Sequence, residues 1–499
     1  MSAEISKRWA HREGLALLTD LYQLTMLYGY WRTGRHEVRV SFEYFFRALP
    51  PHTGFAVSCG LEQFLDYLDH LRFTAGDLEY LESLNLFDTE FITYLHDFRP
   101  HIDVFAVPEG TVIFPHEPTL RVEGFLAEAQ LVETAVLNCL NYATLVATKT
   151  ARVRQAAGND YVMEFGVRRA QGPDGGLTGS RASYVGGADA TSNVLAGRLY
   201  GIPVRGTHAH SWVMSFPDEL SAFRAYAATY PESTLLLVDT YDTLTSGLPH
   251  AIEVFKELRA AGHSPQGAVR LDSGDLAKLS KAAHAMFREA GFTHPTIVAS
   301  NELDEDLIAD LKRQGAKINS WGVGTNLITV SNHPALGGIY KLVAVIDERG
   351  RWQPRLKLSS NPAKTTDPGR KQVVRYRDAQ GHPLGDVLYL MEEKPTPSDR
   401  VPHVGREAPT FRRVLEGAVT SEPLLQQVVR EGRRLEPSPT LELVRKKAQS
   451  EIHSLPDEYR RLRNPHIYEV GLSPRLGRIK ARLIREAETE RPAPGMPSA

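Results

Sequence analysis

Six short apolar runs, each breaking into a polar loop, set the strongest limit on how this 499-residue chain can fold. In order they are Tyr161–Arg169 (YVMEFGVRR), Ile202–Val213 (IPVRGTHAHSWV), Leu235–Asp242 (LLLVDTYD), Val269–Asp275 (VRLDSGD), Ile297–Asn301 (IVASN) and Ile318–Asn326 (INSWGVGTN). Each reads as a buried strand with an Arg, His, Asp or Gly cluster at its C-terminal end. Helical stretches such as Asp275–Ala290 lie between them. Repeated strand–loop–helix units predict a parallel sheet covered by helices. In α/β barrels the active site is built at the C-terminal strand ends, so the position of these clusters predicts an enzyme. Six units are clear, not the eight of a full barrel, and the expected fold is an irregular α/β (TIM-like) barrel.

The flanks read differently. Leu21–Trp31 is patterned as a helix entered through Thr19-Asp20, Val38–Phe46 alternates like a strand, and Phe55–Leu71 reads as largely helical. Val104–Val122 has strand-like runs, and Ala127–Thr150 is a long helix, apolar on most faces and so expected to be buried. Gly338–Asp347 and Lys371–Met391 return to β character, with a hairpin turn at Asp378-Ala379-Gln380-Gly381. We therefore expect an N-terminal α/β domain, residues 1–150, completed by residues 345–440 around an inserted barrel at 151–344. Residues 441–499 read as a charged helical tail whose end, RPAPGMPSA, is expected to be disordered.

Bulk properties narrow the function. Net charge is −2, with 58 basic and 60 acidic residues, so no global field attracts nucleic acid and any anion site must be local. Only Cys59 and Cys139 are present, which fits reduced thiols and a cytoplasmic protein. No signal-peptide core is visible at the N-terminus and no stretch reaches transmembrane length, so no membrane partner is expected.

Four groups of residues carry candidate chemistry. In Gly206-Thr207-His208-Ala209-His210-Ser211, a strand-end His is an acid–base or nucleophilic group, half of an H-x-H metal site, or structural. The metal reading loses weight because no other strand end offers a partner His. Asp239 and Asp272 sit nearest their strand ends, where a carboxylate holds Mg²⁺ through water or orients a His; Asp275 reads as a helix cap. Arg168, Arg169, Arg181 and Arg270 are cations suited to carboxylate or phosphate, against the ordinary fate of a surface ion pair. Gly322-Val323-Gly324-Thr325 permits close backbone approach to a phosphate, and Gly172–Gly187 reads as a flexible loop, a lid over the site.

In this order the motifs resemble the nicotinate phosphoribosyltransferase family. The segments that carry the resemblance are LTDLYQ at 18–23, LNCLNYATLVATK at 137–149, EFGVRRAQ at 164–171, the 206–213 loop, VDTYDT at 238–243, the 269–275 loop, ASN at 299–301, GVGT at 322–325, NPAKTTDPG at 361–369 and NPHIY at 464–468. The resemblance implies a homodimer with shared active sites, an irregular barrel and an N-terminal α/β domain. It implies that nicotinate and 5-phosphoribosyl 1-pyrophosphate become nicotinate mononucleotide and pyrophosphate, with Mg²⁺ and with ATP as co-substrate. ATP hydrolysis would be coupled through a phosphohistidine at His210, oriented by Asp239. Tyr22, Thr207 and Arg270 would contact nicotinate, and Phe165 would stack on its ring, facing Tyr22 of the partner subunit. Arg168, Asp272 (through water on Mg²⁺) and Thr366 would lie along the phosphoribosyl donor, and Gly324 and Thr325 would bind its 5-phosphate. His208 is left with a packing role. A sibling acting on nicotinamide or quinolinate would need a carboxylate near the ring, for which Asp189 is the candidate. Two rival functions use the same barrel differently: a non-catalytic regulatory module and a metal hydrolase.

Overall fold

The computed structural model describes residues 15–359, 365–395, 398–406 and 412–489. Asn361–Lys364 of the NPAKTTDPG motif and the expected disordered end at 491–499 lie outside them. The chain divides into two compact units, Val146–Pro334 and the combination of Met1–Leu145 with Ala335–Ala499.

The unit Val146–Pro334 contains a six-stranded sheet in the order Ala190–Thr191, Tyr161–Glu164, Ser320–Val323, Thr296–Ala299, Ala268–Leu271, Leu236–Leu237. Every pair in it is parallel. Burial on both faces explains the unbroken apolar runs: all four residues of Ser320–Val323 are buried. The helices between strands are amphipathic. Leu276–Glu289 buries Leu276, Ala277, Ser280, Ala283 and Phe287 on one side, and Asp275 caps it by accepting the Lys278 N–H at 3.0 Å.

The strand order is a cyclic permutation of chain order, as a barrel requires, but the sheet does not close. A single parallel bridge joins Thr191 to Val204, and the next strand, Leu236–Leu237, has no ladder to that segment among the described residues. Side chains cross the seam instead. The Thr207 hydroxyl donates to the Leu235 carbonyl at 2.6 Å, and the Leu237 N–H donates to His208 Nε2 at 3.2 Å.

The lid expectation is corrected. Gly172–Val185 is an α-helix with Pro173 in its first turn, and Gly176–Ser183 are buried along it. Its small residues serve close packing rather than flexibility. Arg181 is accordingly buried in this helix at 6% exposure and is not a cation of a strand-end loop.

The second unit holds a seven-stranded antiparallel sheet whose centre is Gly338–Ile346, Arg39–Phe46, Leu120–Phe125 and Asp103–Ala106. The helix entered through Thr19-Asp20 spans Leu21–Arg32, although Asp20 makes no side-chain cap bond. Phe55–Leu71 resolves into a two-residue strand, Ala56–Val57, and the helix Leu61–His70. A six-stranded sheet contains the hairpin Lys371–Arg377 and Pro383–Leu390, turning through Gly381 at φ +84°. The segment read as a helical tail adds a strand to it: Val470–Leu472 lies between Pro383–Leu390 and Arg400–Gly405. Three residues are too few for a period to show.

One helical stretch, Leu126–Ala157, is long and apolar enough to cross a membrane, contrary to the sequence reading; 72% of its apolar window is buried inside the protein, which makes it a core helix. Cys59 and Cys139 are both buried and unpaired with each other.

Candidate active site

The unit Val146–Pro334 brings Phe165, Arg168, Thr207, His210, Asp239, Arg270, Asp272, Gly324 and Thr325 to the ends of its strands or the segments that follow them. Tyr22 and Thr366 belong to the other unit. A cavity of about 1010 Å³ runs through the sheet interior. Phe165, Thr207 and Arg270 line it near the C-terminal strand ends, Met163 and Val298 along the strands, and Tyr161, Thr296 and Ser320 at the N-terminal strand ends, while His210, Asp239 and Asp272 lie outside its lining.

Register explains how the polar residues meet. Leu237 pairs with Arg270, so two residues further on Asp239 comes beside Asp272. The Asp239 side chain is only 2% exposed, and its three bonds fix it: Oδ1 faces His210 Nε2 at 3.2 Å, while Oδ2 accepts the Asp272 N–H at 2.9 Å and the Ser273 hydroxyl at 2.6 Å. The His210 side chain is 41% exposed, so the imidazole is reachable while the carboxylate that orients it is not.

Val298 pairs with Arg270 and Ala299 with Leu271, which sets Ser300 beside Asp272. Three side chains then close a triangle. Arg270 Nε donates to Ser300 Oγ at 2.7 Å, Arg270 Nη2 donates to Asp272 Oδ1 at 2.9 Å, and the Ser300 hydroxyl donates to the same Asp272 oxygen. Burial alone would raise the Asp272 carboxyl, but the Ser300 hydroxyl and the Arg270 guanidinium hold it below the usual carboxylate range. Arg270 Nη1 and Asp272 Oδ2 have no partner among the described residues.

The Phe165 ring lies across Gly322, where a Cβ would come within 2.6 Å of two ring carbons. The Arg270 guanidinium is 5.8 Å from the same ring's centroid. A Gly322→Ala protein must displace that ring, and we expect its KM for a flat aromatic substrate stacked there to rise by about threefold to tenfold, with a smaller change for any co-substrate; steady-state kinetics in each substrate would check it. Beside the ring, Glu164 is fully buried and accepts from the Gly166 N–H, from Ser180 Oγ at 2.9 Å and from Thr191 Oγ1 at 2.6 Å. Burial raises this carboxyl in spite of those donors, which tie the Phe165-Gly166 turn to its neighbours.

Arg168 follows in a short 3₁₀ turn, Val167–Arg169, exposed and without a side-chain partner among the described residues. The Thr325 hydroxyl is likewise unpartnered among them, one residue after Gly324. In the other unit Tyr22 is 46% exposed, whereas Thr366 is buried with its hydroxyl accepting the Lys357 N–H at 3.0 Å.

The two His of the H-x-H triplet diverge. His208 is buried against Tyr226, ring centroids 4.8 Å apart, and its Nε2 accepts from Leu237. Burial lowers its pKa to about 4, so the imidazole is neutral and pins the seam. The unfolded chain takes up a proton here below pH 6.5 while the folded one resists until about 4, so this group removes stability as pH falls through that window. His208→Gln keeps an acceptor and does not titrate. Urea unfolding at both ends of the window should show a smaller loss in that variant than in wild type.

Sequence reading missed Ser300, Ser273 and Glu164 as parts of the site. All three lay inside the motifs, Ser273 reading only as a helix-start residue beside Asp275, but their roles depend on register between strands.

Comparison with known proteins follows the same lines. Three family models match: the nicotinate phosphoribosyltransferase N-terminal domain over residues 17–141, the nicotinate phosphoribosyltransferase family over 161–375, and the C-terminal domain over 370–480. The nicotinate phosphoribosyltransferase of Bacillus subtilis (strain 168) is 43% identical over 487 residues, covering 96% of this chain and 98% of that protein. The crystal structure of human nicotinic acid phosphoribosyltransferase superposes with a TM-score of 0.83 at 37% identity, covering 93% of this chain and 99% of that one. A nicotinate-nucleotide pyrophosphorylase from Pyrococcus furiosus shares the fold, with a TM-score of 0.66 at 22% identity over 88% of this chain and 95% of that one.

Proposed function

The chain belongs to the nicotinate phosphoribosyltransferase family, and from that premise we propose that it converts nicotinate and 5-phosphoribosyl 1-pyrophosphate to nicotinate mononucleotide and pyrophosphate, the first step of NAD salvage from nicotinate. The observation that carries the substrate assignment is the Arg270–Ser300–Asp272 triangle beside the Phe165 ring. The ring takes a flat aromatic partner. Arg270 keeps Nη1 for the substrate carboxylate, a charge-assisted bond that a neutral amide cannot match. The pyridine nitrogen attacks the anomeric carbon as its bond to pyrophosphate breaks, and Asp272 places negative charge where the ribosyl group becomes cationic.

Arg168 and the Gly324-Thr325 turn offer donors for the phosphates. The Asp272 donor set fits Mg²⁺, which takes one or two carboxylates plus waters and substrate phosphates: its Oδ2 is unpartnered among the described residues, and the ion would neutralise the leaving pyrophosphate.

ATP coupling goes through His210. With Nε2–H directed at Asp239, Nδ1 carries the lone pair that attacks the γ-phosphorus and releases ADP; water later returns the phosphoryl group as phosphate. Phosphorylation favours the conformation that binds substrates more tightly. The protein works in the cytoplasm as a homodimer, with Tyr22 of the partner subunit facing Phe165. Exposed Leu18, Leu21 and Tyr22, and exposed Val194, Met214 and Tyr241, support apolar faces that a second copy covers. The cyclic strand order supports an irregular barrel open at one seam.

The rival readings lose their supports. Asp189, the candidate amide reader, is bonded to Arg154 and to the Val162 N–H at 2.9 Å. His208 and His210 face different partners and do not chelate together.

The test is pyrophosphate release with Mg²⁺, 5-phosphoribosyl 1-pyrophosphate and each of nicotinate, nicotinamide and quinolinate, with and without ATP. Release that needs nicotinate and rises with ATP is expected. Equal turnover of nicotinamide would overturn the substrate.

A further inference from the structure

Glu219 is a buried carboxylate that no step above uses. It opens the helix Glu219–Thr229, which follows the short helix His210–Met214, and its side chain is 2% exposed. It has no Lys or Arg partner among the described residues. Its Oε2 accepts from the Ser246 hydroxyl and from His250 Nδ1 at 2.9 Å, while Oε1 is buried with no partner among the described residues. A carboxylate kept out of water without a Lys or Arg beside it is costly, and an apolar side chain at this position would be cheaper.

What the carboxylate joins explains it. The chain leaving His210 reaches Glu219. The chain leaving Asp239 reaches Ser246, in the π-helical turn Thr243–Gly247, and then His250 in the helix Leu248–Ala260. That turn is pressed against the strand end: a Cβ on Gly247 would come within 1.9 Å of the Val238 carbonyl oxygen, immediately before Asp239. Asp242 fixes its start, accepting from Leu244 N–H at 3.0 Å and Thr245 N–H at 2.7 Å. π-turns are rare and gather at functional sites. The contacts form a closed ring: His210 on Asp239 at one point, Glu219 on Ser246 and His250 at the other. Charged neighbours in the chain are otherwise engaged, since Arg224 pairs with Glu253 and Glu257, and Asp218 accepts from Ser221.

We propose that Glu219 is a positioning residue for phosphoryl transfer: it clamps the arm that carries His210 to the arm that carries Asp239, and so holds the imidazole on its carboxylate. The inference rests on His210 being the phosphoryl acceptor. The ring meets the nicotinate side only at Asp239, whose bonds to the Asp272 N–H and the Ser273 hydroxyl do not involve His210, so loosening the clamp falls first on ATP coupling.

The full-length protein is incubated with γ-labelled ATP and Mg²⁺, and acid-labile, alkali-stable label on the protein is measured beside nicotinate mononucleotide synthesis with and without ATP. Glu219→Ala is expected to lower the label and the ATP stimulation by about fivefold or more, with the ATP-independent rate kept within about twofold. Glu219→Gln keeps one oxygen for Ser246 and His250 and should restore the label to within about twofold of wild type. His250→Ala, at a half-exposed helical position, should fall between, and it carries the test if Glu219→Ala does not fold. Wild-type labelling in Glu219→Ala or in His250→Ala overturns the clamp. So does a loss of basal synthesis in proportion to label, or a Glu219→Gln protein as poor as Glu219→Ala. A wild-type protein that takes up no label overturns the phosphohistidine reading itself, and the clamp with it.

Discussion

His210→Ala is expected to abolish the stimulation of nicotinate mononucleotide synthesis by ATP while a slow ATP-independent synthesis persists. The expectation follows from a division of labour in the site. His210 is hydrogen-bonded to Asp239 at 3.2 Å and to no residue of the Arg270–Ser300–Asp272 triangle among the described residues, acting on Asp272 only electrostatically and behind Ser300 and Arg270. Asp239 keeps its bonds to the Asp272 N–H and the Ser273 hydroxyl when the imidazole is removed, so the carboxylate is not stranded. The ribosyl-transfer groups therefore stay in place, and only the nucleophile that accepts the γ-phosphoryl group is lost. The ratio of rates with and without ATP should fall to about one, and ADP formation coupled to synthesis should stop. Asp239→Asn should retain partial coupling, because the amide oxygen can still receive the Nε2–H. Assays with and without ATP, with ADP and pyrophosphate counted together, decide the matter. Persisting ATP stimulation in His210→Ala would remove His210 from the coupling step.

The same site shows what a sequence can and cannot carry. Asp272 and Asp239 were legible because each ends an apolar run, and Arg270 because it interrupts one beside Asp272; both are local signals. Asp275 was legible as a cap because its spacing to the following helix is local too. Ser300 and Ser273 were not, because their partners come from neighbouring strands, and pairing such as Val298 with Arg270 is a property of register. Glu219 was hidden for the same reason: its donors lie beyond the next strand in the chain. The lid failed on composition, where Gly172–Val185 reads as a loop until its buried face is seen packing. The open seam was beyond sequence as well. Strands of two residues, such as Leu236–Leu237 and Ala190–Thr191, are too short to show how far a sheet closes.

Arg270→Ala is expected to raise the KM for nicotinate by about tenfold or more, the loss of one charge-assisted hydrogen bond of about 1.5–3 kcal/mol. The guanidinium is held on two sides, by Ser300 at Nε and Asp272 at Nη2, so its remaining donors are aimed before the substrate arrives. With a side-chain exposure of 14% it is screened from water, and its charge is felt more strongly than a surface cation's. Removing it also strips Asp272 of its cation, so kcat should fall as well, though Ser300 still donates to that carboxylate. Arg270→Lys separates the two effects: an ammonium keeps the charge but cannot span Ser300, Asp272 and the substrate at once, so it should recover only part of the loss. Selectivity is the sharper readout. Nicotinate gains from the cation and nicotinamide does not, so the ratio of their kcat/KM values should narrow in Arg270→Ala by about the factor that nicotinate loses. An unchanged ratio would place carboxylate recognition on another cation, and Arg168 would be the next to replace.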